Sequence, residues 1–217
     1  MLTDKLHYIY LHGFASSPNS KKAQYIAERF AQNQIELEIP DLNCNDFRHL
    51  TITRQLKQVA ITLESHKSVT IIGSSLGGLT AAHLGEKFLQ VKRLVLLAPA
   101  FEFLSHWLPN LGQEVIQRWE KEKYLMVHHY REKREIPLSY DFLTDANQYQ
   151  ETILQRQVPT LILHGKHDEV IPIEASRNFT QKRSWVDLIE LNSNHALGNV
   201  MMEICQEIQD FCQLPKA

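Results

Sequence analysis

Apolar positions along this chain recur with two alternating periods. His7–Leu11 (HYIYL) is short, aromatic and β-branched, which predicts a strand, and it stops at the loop His12-Gly13-Phe14-Ala15-Ser16-Ser17-Pro18. Behind Asn19 or Ser20 as a cap, Ala23, Ile26, Ala27 and Phe30 return at helical spacing. Ile35–Pro40 alternates apolar and acidic residues as an edge strand does, and Ile52, Leu56, Val59, Ala60 and Leu63 mark a second amphipathic helix. Val69–Leu79 (VTIIGSSLGGL) is a buried strand that breaks in a Gly-Ser-Ser-Leu-Gly turn and restarts as a helix running to Phe88, with Ala81 and Ala82 small enough for close packing. Val91–Ala98 is almost continuously apolar, the pattern of a parallel strand covered on both faces. Pro159–Leu163 and Trp185–Leu191 predict two more strands with a helix around Glu174–Lys182 between them, and Met201, Ile204, Cys205, Ile208 and Phe211 line one face of a last helix. Repeated β–α alternation predicts an α/β fold: a doubly wound, mainly parallel six-stranded sheet with helices on both faces.

Residues 100–150 break the rhythm. A connection this long carries structure of its own, and it holds nine of the nineteen aromatic residues, among them Phe101, Phe103, Trp107, Trp119, Tyr124 and Phe142. The expectation is a single domain over 1–217 with 100–150 as a helical cap or lid. Its aromatics fit either a wall over an apolar pocket or an anchor to the body. The alternating charges from Lys121 to Glu135 predict a solvated helix face.

Bulk properties narrow the function. The 217 residues suffice for one α/β domain, and a net charge of −2 gives no basic surface for nucleic acid or an anionic membrane. The N-terminal MLTDKLHYIYLHG reads as a first strand without a secretory signal, and no apolar run approaches a membrane span. Cys44, Cys205 and Cys212 are odd in number and unpaired by spacing, which suits a reduced, cytoplasmic chain. Eleven histidines include no His-x-x-x-His or His-Glu-x-x-His spacing, so no metal is expected.

The turn after Val69–Ile72 has the G-x-S-x-G spacing of a nucleophile elbow, centred on Ser75 with Gly73 and Gly77 at the crowded flanking positions. Centring it on Ser74 would put Ile72 and Leu76 there instead. The Leu76 N–H, at the start of the next helix, faces the space where an oxyanion develops. A glycine-rich turn that only closes a sheet has the same local pattern. A serine nucleophile also needs a base and a group to orient it, and in a parallel sheet both belong just after later strands. Asp168 follows the strand ending at Leu163, and His195 follows the strand ending at Leu191. Either alone fits a cap or a loop residue, but three residue types in this order, each after its own strand, rarely coincide.

With these residues in view, the chain resembles an α/β-hydrolase over nearly its whole length, and YIYLHGFASSPNSKKA resembles the signature of the small bacterial YqiA-like esterases. The resemblance implies Ser75 as nucleophile, Asp168 as acid and His195 as general base, with the N–H groups of Phe14 and Leu76 as oxyanion donors. It also implies a compact core lacking the first two strands of the typical sheet. In the run from His164 to Pro172, Ile171 stands where valine is usual. His12 and His164 read as loop-bracing residues and Glu169 as a reserve acid. The expected activity is cofactor-free hydrolysis of a small-molecule ester. A thioester is the nearest alternative, for which Lys121, Lys123, Arg131, Lys133 and Arg134 would matter. A non-catalytic ligand-binding protein on this fold is the other, and a peptidase has no positive support.

Overall fold

The computed structural model describes residues 6–215. The opening of the N-terminal segment read above, residues 1–5, lies outside the described residues.

Strand β1 (His7–Leu11) leads through the His12–Ser20 loop to α1 (Lys21–Gln32), whose first turn is capped by the Ser20 hydroxyl accepting from the Ala23 N–H. Strand β2 shrinks from the expected six residues to Leu37–Glu38, because it is an edge strand paired only to β1. Helix α2 (Ile52–Glu64) follows, capped by Thr51, then β3 (Val69–Ser74), α3 (Leu76–Lys87) and β4 (Val91–Leu97). After the intervening segment come β7 (Thr160–Gly165), α7 (Ile173–Thr180), β8 (Val186–Leu191) and α8 (Met201–Cys212). The main sheet has six strands in the order β2-β1-β3-β4-β7-β8, every pairing parallel.

Side-chain alternation along each strand divides the core between the two faces of this sheet. Ile9, Leu11, Ile71, Leu96 and Ile162 pack against α2, α3 and α7. Tyr8, Tyr10, Ile72, Val95, Leu97, Leu161 and Leu163 pack against α1 and α8 through Ala23, Ile26, Phe30, Ile204 and Ile208. Every strand therefore points its C-terminal end to one rim, and β3, β7 and β8 deliver their loops there.

The segment between β4 and β7 holds α4 (Phe103–Leu111), α5 (Gln113–Glu122), β5 (Tyr124–His129), β6 (Arg134–Ser139) and α6 (Asp141–Ala146). The antiparallel β5–β6 hairpin corrects the expected helix face over Lys121–Glu135. Lys121 and Glu122 end α5, the run from Tyr130 to Lys133 forms the hairpin turn, and between them Tyr124–His129 alternates in exposure with the period of a strand.

Candidate active site

Ser75 is the single residue between β3 and α3, with φ 53° and ψ −118°, a conformation that L residues avoid. The turn is held on all sides. Ser75 N–H donates to Leu97 O at 2.9 Å, and its carbonyl accepts from Gly78, Leu79 and Ala100 N–H groups at 2.8, 3.1 and 3.0 Å. A Cβ at Gly73 would run into the Gly77 carbonyl, and one at Gly77 into the carbonyls of Leu11 and His12. The two glycines are there because backbone passes where a side chain would be.

The neighbouring Ser74 faces the α1 side of the sheet, where Lys22 Nζ donates to its Oγ at 3.1 Å. Burial lowers the Lys22 pKa to about 8, partly offset by the charge of Asp168.

His195 and Asp168 converge on Ser75. His195 Nε2 lies 3.1 Å from Ser75 Oγ, and Nδ1 lies 2.8 Å from Asp168 Oδ2. Since the carboxylate only accepts, Nδ1 carries the proton and Nε2 is left to receive one. Asp168 Oδ1 accepts from the N–H groups of Val170 and Ile171 at 2.9 and 2.8 Å, which fixes the carboxylate plane. Burial pushes the Asp168 pKa up, but hydrogen bonds from His164 and His195, the charge of His195 and the Ile171 amide outweigh it and hold the group well below the usual carboxylate range. Glu169 accepts from the backbone N–H of His195 at 3.3 Å, so Asp168 and not Glu169 faces the imidazole.

His12 braces the loop as expected: Leu42 N–H donates to its Nε2 at 3.0 Å, which leaves Nδ1–H to donate to Gly13 O at 2.9 Å. Burial lowers its pKa and keeps it neutral. His164 does more than brace. Its Nε2 lies 3.1 Å from Asp168 Oδ2, a contact between fully buried side chains. Neither this contact nor the Lys22–Ser74 bond has a local sequence signal, although the position of His164 at a strand end beside Asp168 was the available clue.

Ser75 opens into a cavity of about 480 Å³ bordered by Phe14, Leu76, Phe103, Trp107 and Phe142, with Glu169 among its few polar residues. Both backbone N–H groups expected to face an oxyanion thus belong to residues at this cavity, and Leu76 begins α3, where amides lack intrahelical acceptors. The aromatics of the 100–150 segment divide between the two roles. Phe103, Trp107 and Phe142 wall the cavity together with Phe14, whose ring lies 5.4 Å from that of Phe142. Phe101 stacks on Phe179 of α7 at 4.1 Å and anchors the segment to the body, while buried Trp119 donates from Nε1 to Leu138 O at 2.9 Å and ties α5 to β6 within the segment. Tyr124 meets the body at the surface, under the guanidinium of Arg48. Among the described residues no group of three or more His, Cys, Asp or Glu could hold a metal ion, and no helix is long and apolar enough to cross a membrane.

A six-stranded parallel sheet with helices on both faces, a serine on the turn after β3 and a histidine after β8 define the α/β-hydrolase fold. The chain belongs to the uncharacterised protein family UPF0227, which it matches over residues 7–213. Among solved structures it is similar to Est1E from Butyrivibrio proteoclasticus with ferulic acid bound, at a TM-score of 0.82 and 18% identity, over 97% of this chain and 88% of the other. It is also similar to alpha/beta hydrolase domain-containing protein 10 from mouse (TM-score 0.77, 22% identity, 98% and 92% covered). The monoacylglycerol lipase of Paleococcus ferrophilus gives a TM-score of 0.74 at 14% identity, with 94% and 92% covered. At these identities the likeness is one of fold.

Proposed function

We propose that this protein is a serine hydrolase of carboxylic esters. The observation that carries the reading is the continuous hydrogen-bonded chain from Ser75 Oγ through His195 to Asp168, with Ser75 exposed to an apolar cavity. Ser75 Oγ attacks the acyl carbon while His195 Nε2 takes the hydroxyl proton. Asp168 pairs with the imidazolium that results. The N–H groups of Phe14 and Leu76 receive the oxyanion, and loss of one such donor typically costs on the order of 3 kcal/mol of transition-state stabilisation. His195 then protonates the departing alcohol, leaving an acyl ester on Ser75. Water gives a proton to His195 as it attacks that ester, and the tetrahedral intermediate then collapses with His195 passing that proton to Ser75 Oγ, which releases the free acid and restores the serine. No step calls for a cofactor.

The cavity favours an uncharged acyl group, since its wall is largely aromatic and aliphatic. In this reading the 100–150 segment covers that group with Phe103, Trp107 and Phe142. Two proteins of the same fold point the same way: Est1E holds ferulic acid, and the Paleococcus ferrophilus protein is a monoacylglycerol lipase. A thioester would pass through the same steps. An anionic CoA leaving group finds less support from Arg131 and Arg134, because Arg131 lies 3.6 Å from Asp41 and Arg134 lies 3.0 Å from Glu132.

Steady-state hydrolysis of a series of p-nitrophenyl esters tests the proposal, with the matching thioesters run alongside. Wild type should turn over the esters, and Ser75→Ala should lose on the order of a thousandfold or more in kcat. Folded Ser75→Ala with undiminished turnover would overturn it.

A further inference from the structure

His164 is absorbed by none of the steps above, yet it touches the acid. Alternation along β7 places Leu161 and Leu163 on the α1–α8 face and Ile162 and His164 on the other, where His164 has no exposure. Its contacts place a proton on Nε2. Nε2 lies 3.1 Å from Asp168 Oδ2 and 3.0 Å from Ile171 O, both of which only accept, so Nε2 carries a proton. Nδ1 lies 2.7 Å from Oγ of Ser176, a buried residue on α7 whose hydroxyl can donate to it. A neutral imidazole whose Nε2–H is shared between Ile171 O and Asp168 Oδ2, with the Ser176 hydroxyl donating to Nδ1, fits these contacts.

We infer that His164 is a positioning residue of this site: a neutral second histidine donating Nε2–H to the Asp168 oxygen that also receives His195 Nδ1–H. The inference rests on the triad reading given above. His195 Nδ1–H donates to Oδ2, His164 Nε2–H, shared with Ile171 O, lies 3.1 Å from the same oxygen, and two backbone amides donate to Oδ1, so contacts at both oxygens hold the carboxylate in place. The second donor also draws electron density from Oδ2, so Asp168 stays a carboxylate and the proton on His195 Nδ1 remains there when the imidazolium forms. The other ionisable groups facing this cluster are Glu190, paired across the sheet with His164 and held by Arg177, Glu169 at the His195 backbone, and Lys22 towards Asp168.

The test combines ester kinetics with NMR. His164→Leu is made together with Ser176→Ala so that no hydroxyl is orphaned, and His164→Gln offers a replacement N–H. The double variant should keep KM and lose about tenfold in kcat, the scale of one hydrogen bond to a charged group. Its low-pH limb of kcat/KM should move upwards, because Asp168 Oδ2 then favours the His195 imidazolium more strongly. His164→Gln should recover most of kcat and return the limb, and Ser176→Ala alone should change little. An unmoved limb with unchanged kcat in folded double variant, or no recovery by glutamine, overturns the inference. Histidine ¹⁵N spectra of wild type, which need neither activity nor a variant that folds, should show His164 protonated at Nε2 alone. A ring protonated at Nδ1 or at both nitrogens overturns it too. Absence of ester turnover in wild type would instead count against the proposed function, with the NMR result still deciding the hydrogen bond.

Discussion

Replacing Ser75 by glycine should make the protein more stable than replacing it by alanine. Both changes remove the hydroxyl and its bond to His195, so the comparison isolates the backbone. Ser75 is held at φ 53°, ψ −118° by hydrogen bonds on its N–H and its carbonyl. Alanine has to keep that conformation, whereas glycine adopts it freely. Strained non-glycine backbone of this kind costs about 1–3 kcal/mol, and glycine's larger entropy loss on folding returns about 0.5–1. The difference between the variants is therefore about 1 kcal/mol in favour of glycine, equivalent to roughly 2–4 °C in Tm for a chain of this size. Urea unfolding followed by fluorescence of Trp107, Trp119 and Trp185 reads it directly. If Ser75→Gly unfolds at the same urea concentration as Ser75→Ala, or a lower one, the turn is not strained and the argument for the elbow geometry fails.

Asp168 links the site to acid stability. Its pKa lies below the unfolded value of about 3.9, so its contribution is fully present above that pH and is lost as pH falls through the folded value. Asp168→Asn should consequently flatten the dependence of unfolding free energy on pH below about 4, measured by denaturant melts at successive pH values. Lys22 has the opposite sign. With its folded pKa lowered to about 8 and an unfolded value of about 10.4, the unfolded chain binds the extra proton between them, so stability rises with pH across that window. Lys22→Met should remove this rise, seen as a wild-type-minus-variant difference that grows from pH 8 to pH 10. Trp107→Ala enlarges the cavity wall on α4 and should lower kcat/KM for short acyl esters about tenfold while sparing bulkier ones; equal losses across the series would argue that Trp107 does not contact the acyl group.

Much of this architecture is legible in the chain because local pattern and burial agree. Val69–Ser74 is buried at every position, so its apolar run announces a central strand, and only small residues fit where Gly73 and Gly77 meet other backbone. Asp168 and His195 are legible because a parallel sheet brings its strand ends to one rim, which converts sequence order into proximity. What the sequence hides is of two kinds. Tyr124–His129 (YLMVHH) carries no alternation of apolar and polar residues, so its period of two shows only in exposure, and the charges at the end of α5 and in the hairpin turn read as a helix face. The partners of Ser74 and Asp168 are hidden for a different reason. Lys22 reaches Ser74 from a helix 52 residues away, and the contact of His164 with Asp168 depends on how the loop after β7 folds back. The places of the segment's aromatics are likewise set by tertiary position, since Trp107 at the cavity and Trp119 inside the segment differ little in local context.

Intact-mass analysis after incubation with a fluorophosphonate probe, with the modified peptide mapped, tests the central claim that Ser75 is an activated nucleophile. Wild type and Ser74→Ala should each gain one adduct on Ser75, and Ser75→Ala should gain none. Folded wild type that takes up no probe, or takes it up on Ser74, would contradict the account.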